Sequence, residues 1–280
     1  MRCAWQYFLN LLPSKYRSRM DAQAAERLQE LRIRVGAEPE MVYKMGSKWI
    51  SEPAVPEDIT YIVNAASRYS PWATASIRRG YITAPGGHRI GLCGDAIIQN
   101  GEMSGIRSAS SLCMRVARDF PGLAKSLNKL KGSVLIIGAP GSGKTTLLRD
   151  LIRQRSNAGP GSVGVVDERG ELFPCFDNIH SFDVGIRTDI LTGCDKRTGI
   201  EVLLRTMGPS SIAVDEITAE EDCKAMMNAG WSGVSLLATA HAESIKDLHA
   251  RILYRPIVNS RLFSTVVCLD RDQNWTVTEI

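Results

Sequence analysis

The chain has 280 residues, 44% of them apolar and 23% charged, with a formal net charge of +4, the make-up of a globular protein with one large core or two modest ones. Its longest apolar runs, "SVLII" and "GVSLLATA", fall far short of a membrane span, which excludes a segment that inserts by itself. Seven cysteines, odd in number, scattered and never in a CxxC pair, argue against a disulfide framework and structural zinc and point to reduced thiols in a cytosolic protein.

In chain order, "MRCAWQYFLNLL" reads as an amphipathic opening helix. Gln6 and Asn10 interrupt its apolar run and no small-residue cleavage site follows, so it is not a signal peptide. "DAQAAERLQELRIRVG" reads as a helix that turns extended over residues 32–35 and stops at Gly36. "PEDITYIVNAASRYS" has Pro56 at a helix start, Glu57 and Asp58 in the first turn, and Ile59, Ile62, Val63 and Ala66 on one face. Short extended pieces follow: "GYITA", the turn "PGG", "HRIGLCGDAII" and an Asn100-Gly101 hairpin signal. This first part predicts a small α+β domain.

From about Pro121 the pattern alternates strand and helix. Apolar strands are expected at residues 133–137, 163–167, 211–215 and 233–240, with capping boxes at Thr198/Glu201 and Thr218/Glu221 opening two of the helices. Such alternation implies a parallel sheet covered on both faces, with ligand chemistry at the carboxyl ends of its strands. The halves differ in charge as well: eighteen basic residues stand against eleven acidic ones through Leu130, and sixteen against nineteen after it. A basic half suits nucleic acid, anionic lipid or triphosphate, and equally a solvated surface; no arginine-rich tract or interleaved aromatics support a nucleic-acid groove.

"GAPGSGKTTLLRD", Gly138 to Asp150, carries the strongest chemical signal. A buried-strand run precedes it, and Leu147, Leu148, Leu151 and Ile152 follow at helical spacing. Between them Gly138, Ala139, Pro140, Gly141, Ser142 and Gly143 let the backbone N–H groups curl inward at a helix N-terminus. Lys144 supplies a point charge for the β and γ phosphates, the Thr145 hydroxyl can sit on Mg²⁺, and Thr146 continues the first turn. A glycine loop with a solvated lysine explains neither Thr145 nor the flanks.

Three more strand ends converge on that cradle. "SIAVDEI" delivers two carboxylates, one to hold the metal (Asp215) and one to orient or deprotonate water (Glu216). "VVDERGE" brings Asp167, Glu168, Arg169 and Glu171 to the same edge, where acids and a cation would flank the γ phosphate, or simply form a solvated loop. "ATAHAE" puts His241 at a fourth tip, as a sensor or as a structural histidine.

Taken in order, "GAPGSGKTTLLRD", "VGVVDERGE", "VGIRTDILTGCDK", "LLRTMGPSSIAVDEI" and "LLATAHA" resemble the stage III sporulation protein AA family, within the type II and type IV secretion and pilus-motor ATPases. The resemblance reaches the first half in "LRIRVG", "SRYSPWATASIRRGYITAPGGHRIGLCGDAII" and "GIRSASSLCMRVAR". It implies a RecA-like P-loop ATPase domain over residues 121–280, preceded by a smaller α+β domain over 1–120, and a ring, a hexamer, that binds ATP and Mg²⁺. It implies catalytic roles for Glu216, Glu168, His241, Arg187 and Arg205, with Thr145 and Asp215 on the metal; Arg89, Arg107 and Arg115 are further candidates for completing a site. The implied role is powering or assembling a channel between mother cell and forespore, from the cytoplasm, peripheral to the membrane through protein partners. The chain lacks the four-cysteine segment of some long secretion members, and it keeps an Asp-Glu pair where many replace the aspartate. The alternative is a nucleic-acid-dependent P-loop ATPase, motivated by the basic first half. A GTPase switch fits poorly, because no NKxD guanine reader follows the cradle, and a small-molecule kinase lacks a visible acceptor pocket.

Overall fold

Apolar alternation in the first part and continuous apolar runs in the second build two sheets of different kinds, each around its own core. The computed structural model describes residues 3–67, 80–176 and 178–280; "RYSPWATASIRR", residues 68–79 of the family resemblance, lies outside them. The chain divides into two compact units, Met1–Asp119 with Pro174–Ser181, and Phe120–Phe173 with Phe182–Ile280.

The first unit opens with three short helices, α1 (Trp5–Asn10), α2 (Ser14–Arg17) and α3 (Ala22–Arg27). Strands β1 (Glu30–Arg34), β2 (Glu40–Tyr43) and β3 (Gly46–Trp49) precede helix α4 (Pro56–Ser67). Then come β4 (Tyr81–Thr83), β5 (Arg89–Gln99) and β6 (Glu102–Arg115). All six strands pair antiparallel in the order β3-β2-β1-β6-β5-β4. Strand β1 starts at Glu30, two residues before the expected extended segment, because the period-2 burial of Leu31 and Ile33 overrides the helical reading of "LQEL". The Asn100-Gly101 turn joins β5 to β6 with φ of +51° and +81°, the left-handed pair that a two-residue hairpin requires. Phe8, Leu12, Tyr16, Ile33, Ile62, Ile90 and Met114 form the core. Two short strands, β9 (Cys175–Phe176) and β10 (Ile179–His180), form a hairpin within this unit, where Pro174 lies against Gly87.

His88 staples the first unit from inside. Fully buried, it accepts the Ala117 N–H at Nδ1 (3.1 Å), so Nε2 carries the proton and donates to the Ala4 carbonyl (3.0 Å). Phe8 meets the ring edge-on at 5.2 Å. Burial pushes the imidazole down to about 4.

In the second unit, β7 (Val134–Gly138), β8 (Val163–Asp167), β11 (Thr188–Thr192), β12 (Ser211–Glu216), β13 (Ser235–Ala240) and β14 (Thr265–Leu269) run parallel, and β15 (Trp275–Glu279) closes one edge antiparallel. The order is β11-β8-β12-β13-β7-β14-β15. Helices α5 (Lys144–Ala158), α6 (Lys196–Thr206), α7 (Glu220–Trp231), α8 (Ile245–Ala250) and α9 (Arg255–Asn259) cover it. One face packs Leu135, Ile137, Val214, Leu236 and Ala238 against Ile200, Leu203, Met226 and Ile257. Helix α5 touches β7, β12 and β13 and buries Leu147, Leu148, Leu151 and Ile152, each stabilising by roughly 1.5–3 kcal/mol. Both expected capping boxes are corrected. Asp195 caps α6, accepting the Thr198 N–H at 2.9 Å, and Asp222 reaches back to the N–H groups of Thr218 (2.9 Å) and Ala219 (3.1 Å) at the start of α7. A carboxylate is the stronger acceptor, and the threonine hydroxyls become donors to it. Among the described residues no helix is long and apolar enough to cross a membrane.

Candidate functional site

The cradle begins where β7 runs out. A Cβ on Gly138 would fall 2.6 Å from Ser142 Oγ and 2.8 Å from the Leu269 carbonyl, so only glycine lets the loop fold back over the strand. Gly141 and Gly143 take φ of +77° and +98° with open space where their Cβ atoms would stand, so the concave side stays clear. Pro140 and Gly141 are exposed, Ala139 accepts the Ser142 N–H at 3.2 Å, and Gly143 leads into α5 with no side-chain cap. The first-turn N–H groups, those of Lys144, Thr145 and Thr146, point back along the axis toward the loop.

Lys144 is buried, and its three ammonium protons are all taken: by Gly138 O (3.0 Å), Ala139 O (3.1 Å) and His241 Nδ1 (3.0 Å). Desolvation holds its pKa below the ordinary lysine value, against the pull of Glu216 and Asp215. None of these three partners carries a formal negative charge, and the positive end of α5 is adjacent. A buried cation answered by dipoles at close range suits an incoming anion. Ser142 Oγ, buried in the same loop without a hydrogen-bond partner among the described residues, adds an unused polar atom.

Strand β12 delivers both of its acids to this place by a device that the sequence pattern hides. Neighbouring residues on a regular strand face opposite ways, yet the register against β13 slips between Ala213 and Glu216, where three steps on β12 match two on β13. Asp215 thereby meets the Thr145 hydroxyl (Oγ1 to Oδ1, 3.3 Å), and Glu216 meets His241 (Oε1 to Nε2, 2.7 Å). Burial first, then the charge of Asp167, push Asp215 up to about 6. Two adjacent oxygen ligands of an octahedral Mg²⁺ stand about 3 Å apart, so Thr145 and Asp215 are spaced to share one. Among the described residues no three His, Cys, Asp or Glu side chains converge as a metal cage, and an ion here would bring its remaining ligands with it. Since Lys144 donates to Nδ1, His241 carries its proton on Nε2 and donates to Glu216, giving a continuous Lys144–His241–Glu216 chain.

The remaining expected residues divide. Glu168 is half-buried and paired with Lys196 (2.7 Å), which also lies near Asp222 (3.6 Å) and weakly opposes the rise of the Asp215 pKa. Asp167 does not face the cradle as an exposed acid. It is fully buried and accepts the N–H groups of Glu171 and Phe173 at 2.8 Å each, fixing the loop after β8. Arg187 precedes β11 at the amino-terminal edge of the sheet, where its guanidinium donates to Ser156 O (3.2 Å), twelve residues or about 18 Å along α5 from Lys144. Arg205 is exposed in the last turn of α6, nine residues or about 14 Å from Lys196. Neither reaches the cradle of its own chain: an arginine at the far end of a parallel sheet's helices cannot complete a site at the carboxyl ends. In the first unit, Arg89 lies over the Tyr81 ring, Arg115 reaches Glu30 at 3.3 Å, and Arg107 is exposed.

Two site residues escaped the sequence reading. Lys196 occupies the first turn of α6, where the macrodipole disfavours a cation, a misfit that Asp195 as the cap would have exposed. Tyr254 accepts the His241 N–H and stands in "RILYR", which carries no signal at all.

A glycine cradle between β7 and α5, in a parallel sheet with acids on the neighbouring strand ends, defines a P-loop protein of the secretion-ATPase fold. Two solved structures share that fold: the Legionella pneumophila ATPase DotB (TM-score 0.57, 17% identical, 94% of this chain and 78% of that one) and the pilus retraction motor PilT with bound ADP (0.59, 15%, 88% and 75%). The chain belongs to the family described as sporulation stage III, protein AA, whose model matches residues 6–279. It is 36% identical over 264 residues to the stage III sporulation protein AA of Bacillus subtilis (strain 168), covering 90% of this chain and 86% of that protein.

Proposed function

We propose that the chain is a Mg²⁺-dependent ATPase that acts in a ring and powers or assembles a membrane channel during sporulation. The observation that carries this reading is Lys144, buried at a helix N-terminus with dipoles alone at close range and linked through His241 to Glu216. The loop N–H groups and Lys144 would hold the outer phosphates of ATP, and Thr145 with Asp215 would hold the ion. Bound with the nucleotide, Mg²⁺ offsets charge on those phosphates.

The chain's own residues set the order of events. Lys144 has no spare proton, so engaging a phosphate oxygen costs it one present partner, and His241 Nδ1 is the one that belongs to a side chain and not to the loop backbone. Glu216 receives the His241 proton bond at Oε1, which leaves Oε2 to orient a water and accept its proton. His241 then reports at Nδ1 whether Lys144 is engaged elsewhere. Glu168, fixed by Lys196, keeps a second carboxylate on the neighbouring strand end. Arg187 holds the end of α5, so Arg205 is the arginine we assign to a neighbouring subunit's cradle. An inserted arginine is worth about 10³–10⁵ in rate, which makes an isolated subunit a poor enzyme.

Lys144→Ala tests the reading: calorimetry in magnesium buffer should show ATP binding to the wild type and none to the variant, with turnover lost and circular dichroism unchanged. Equal turnover in the variant rejects the assignment.

A further inference from the structure

The reaction proposed above needs Glu216 and His241 to stay paired, yet both stand where their strands stop receiving regular ladder bonds. The last register partner of β12 on β13 is Glu216 with Thr239, and one irregular bond follows, Ile217 N–H to Thr239 O at 2.9 Å. Past that point a side-chain hydroxyl links the backbones of the two strand ends. Tyr254 Oη accepts the His241 N–H at 3.2 Å and donates to the Ile217 carbonyl at 3.4 Å. One contact is thus the backbone of His241 itself, and the other is the residue after Glu216.

The ring and the hydroxyl of Tyr254 do separable work. The ring is buried in the apolar core with Ile217, Ala242, Leu248 and Ile257, where phenylalanine would pack equally well. The turn Ile252–Tyr254 that carries it is tied to α7 by the Cys223 thiol, which donates to Leu253 O at 3.4 Å. Anchored at both ends, the hydroxyl is a fixed point against which two strand tips are set. The β12 register slip adds to the need, because a bulged strand end has more ways to sit than a regular one.

We infer that Tyr254 is a positioning residue for the reaction: its hydroxyl sets the spacing of the β12 and β13 tips and so holds His241 against Glu216. The inference rests on the reading of Glu216 and His241 as reaction groups. It assigns Tyr254 no contact with nucleotide or water.

Tyr254→Phe removes one atom. Steady-state turnover should fall about 10- to 100-fold, the scale of a misplacement near 1 Å, while the dissociation constant for a fluorescent ATP analogue stays within about twofold. In a His241→Ala background the same change should have no further effect on kcat, since the group being positioned is gone. An unchanged kcat, a parallel loss of affinity, or an equal drop in the His241→Ala background overturns the inference. Hydrogen exchange at the wild-type His241 amide decides the bridge without any variant: slow exchange is expected and fast exchange refutes it. Absence of ATP binding and turnover in the wild type sinks the ATPase reading instead, and the amide measurement still judges the tyrosine bridge.

Discussion

Lowering the pH should loosen the first unit through one residue, His88. Its neutral ring is built in: Nδ1 must stay bare to accept the Ala117 N–H, so a second proton would set donor against donor in a buried site. The folded ring titrates at about 4 and the unfolded one at 6.5. Between those values the unfolded chain binds the extra proton, so stability is fully present above 6.5 and falls as the pH drops toward 4. At 1.36 kcal/mol per unit the whole window is worth about 3 kcal/mol, and about 2 kcal/mol of it is lost between pH 7 and pH 5. His88→Asn offers an acceptor to Ala117 but cannot titrate, so it subtracts every other acidic group from the comparison. Urea unfolding with pulsed hydrogen exchange, reading peptides from β5 and β6, follows the first unit by itself. The wild type should be more stable at pH 7, with its advantage shrinking by about 2 kcal/mol at pH 5. A gap that stays constant to within about 0.3 kcal/mol would mean that His88 protonates in place, and the account of the staple would be wrong.

The site supports three further tests. Glu216→Gln should keep nucleotide affinity within about threefold and cut turnover by at least about 10²-fold, since it removes the proton acceptor and leaves the cradle; affinity and turnover falling together would count against that role. Asp215 shows the reverse linkage from His88: with its pKa raised from 3.8 to about 6, the fold loses up to about 3 kcal/mol as the pH rises through that window, and the loss is complete above it. Asp215→Asn should therefore unfold at higher temperature in chelator at pH 8, with the gain fading toward pH 4, while losing the magnesium dependence of ATP binding; a lower melting temperature at pH 8 contradicts this. Rings mixed from Arg205→Ala and Lys144→Ala subunits should regain part of the turnover that each lacks alone, because an intact cradle can then sit beside an intact Arg205; no recovery over a range of mixing ratios removes Arg205 from the neighbour's site.

What the sequence made legible follows from which interactions are local. Four strands of the parallel sheet and α5 were readable because each rests on a continuous apolar run or on helical apolar spacing within one short window, and the cradle because its glycines, Lys144 and Thr145 stand together in sequence. The tips of β12 and β13 were readable as places but not as geometry. Nothing in "SIAVDEI" announces a register slip against a strand twenty residues later, and it is the slip that brings Asp215 and Glu216 to one site. The edge strands β11 and β15 went unread because they are half-buried or exposed along their length and lack the continuous apolar run of the inner strands; β14, between β7 and β15, went unread although it is buried. Arg187 and Arg205 were legible as candidates and not as positions. Motif order places a residue along the chain, whereas the end of the sheet it occupies depends on whether it precedes or follows its strand.

The small hairpin at β9 and β10 changes how the molecule can be taken apart. Pro174–Ser181 belongs to the first unit, while the residues on either side of it belong to the second. No single cleavage separates the folded pieces: a fragment ending at residue 119 lacks the proline that backs Gly87, and one starting at 120 carries a stretch whose home is missing. Deletions meant to assign separate duties to the two parts will disturb both.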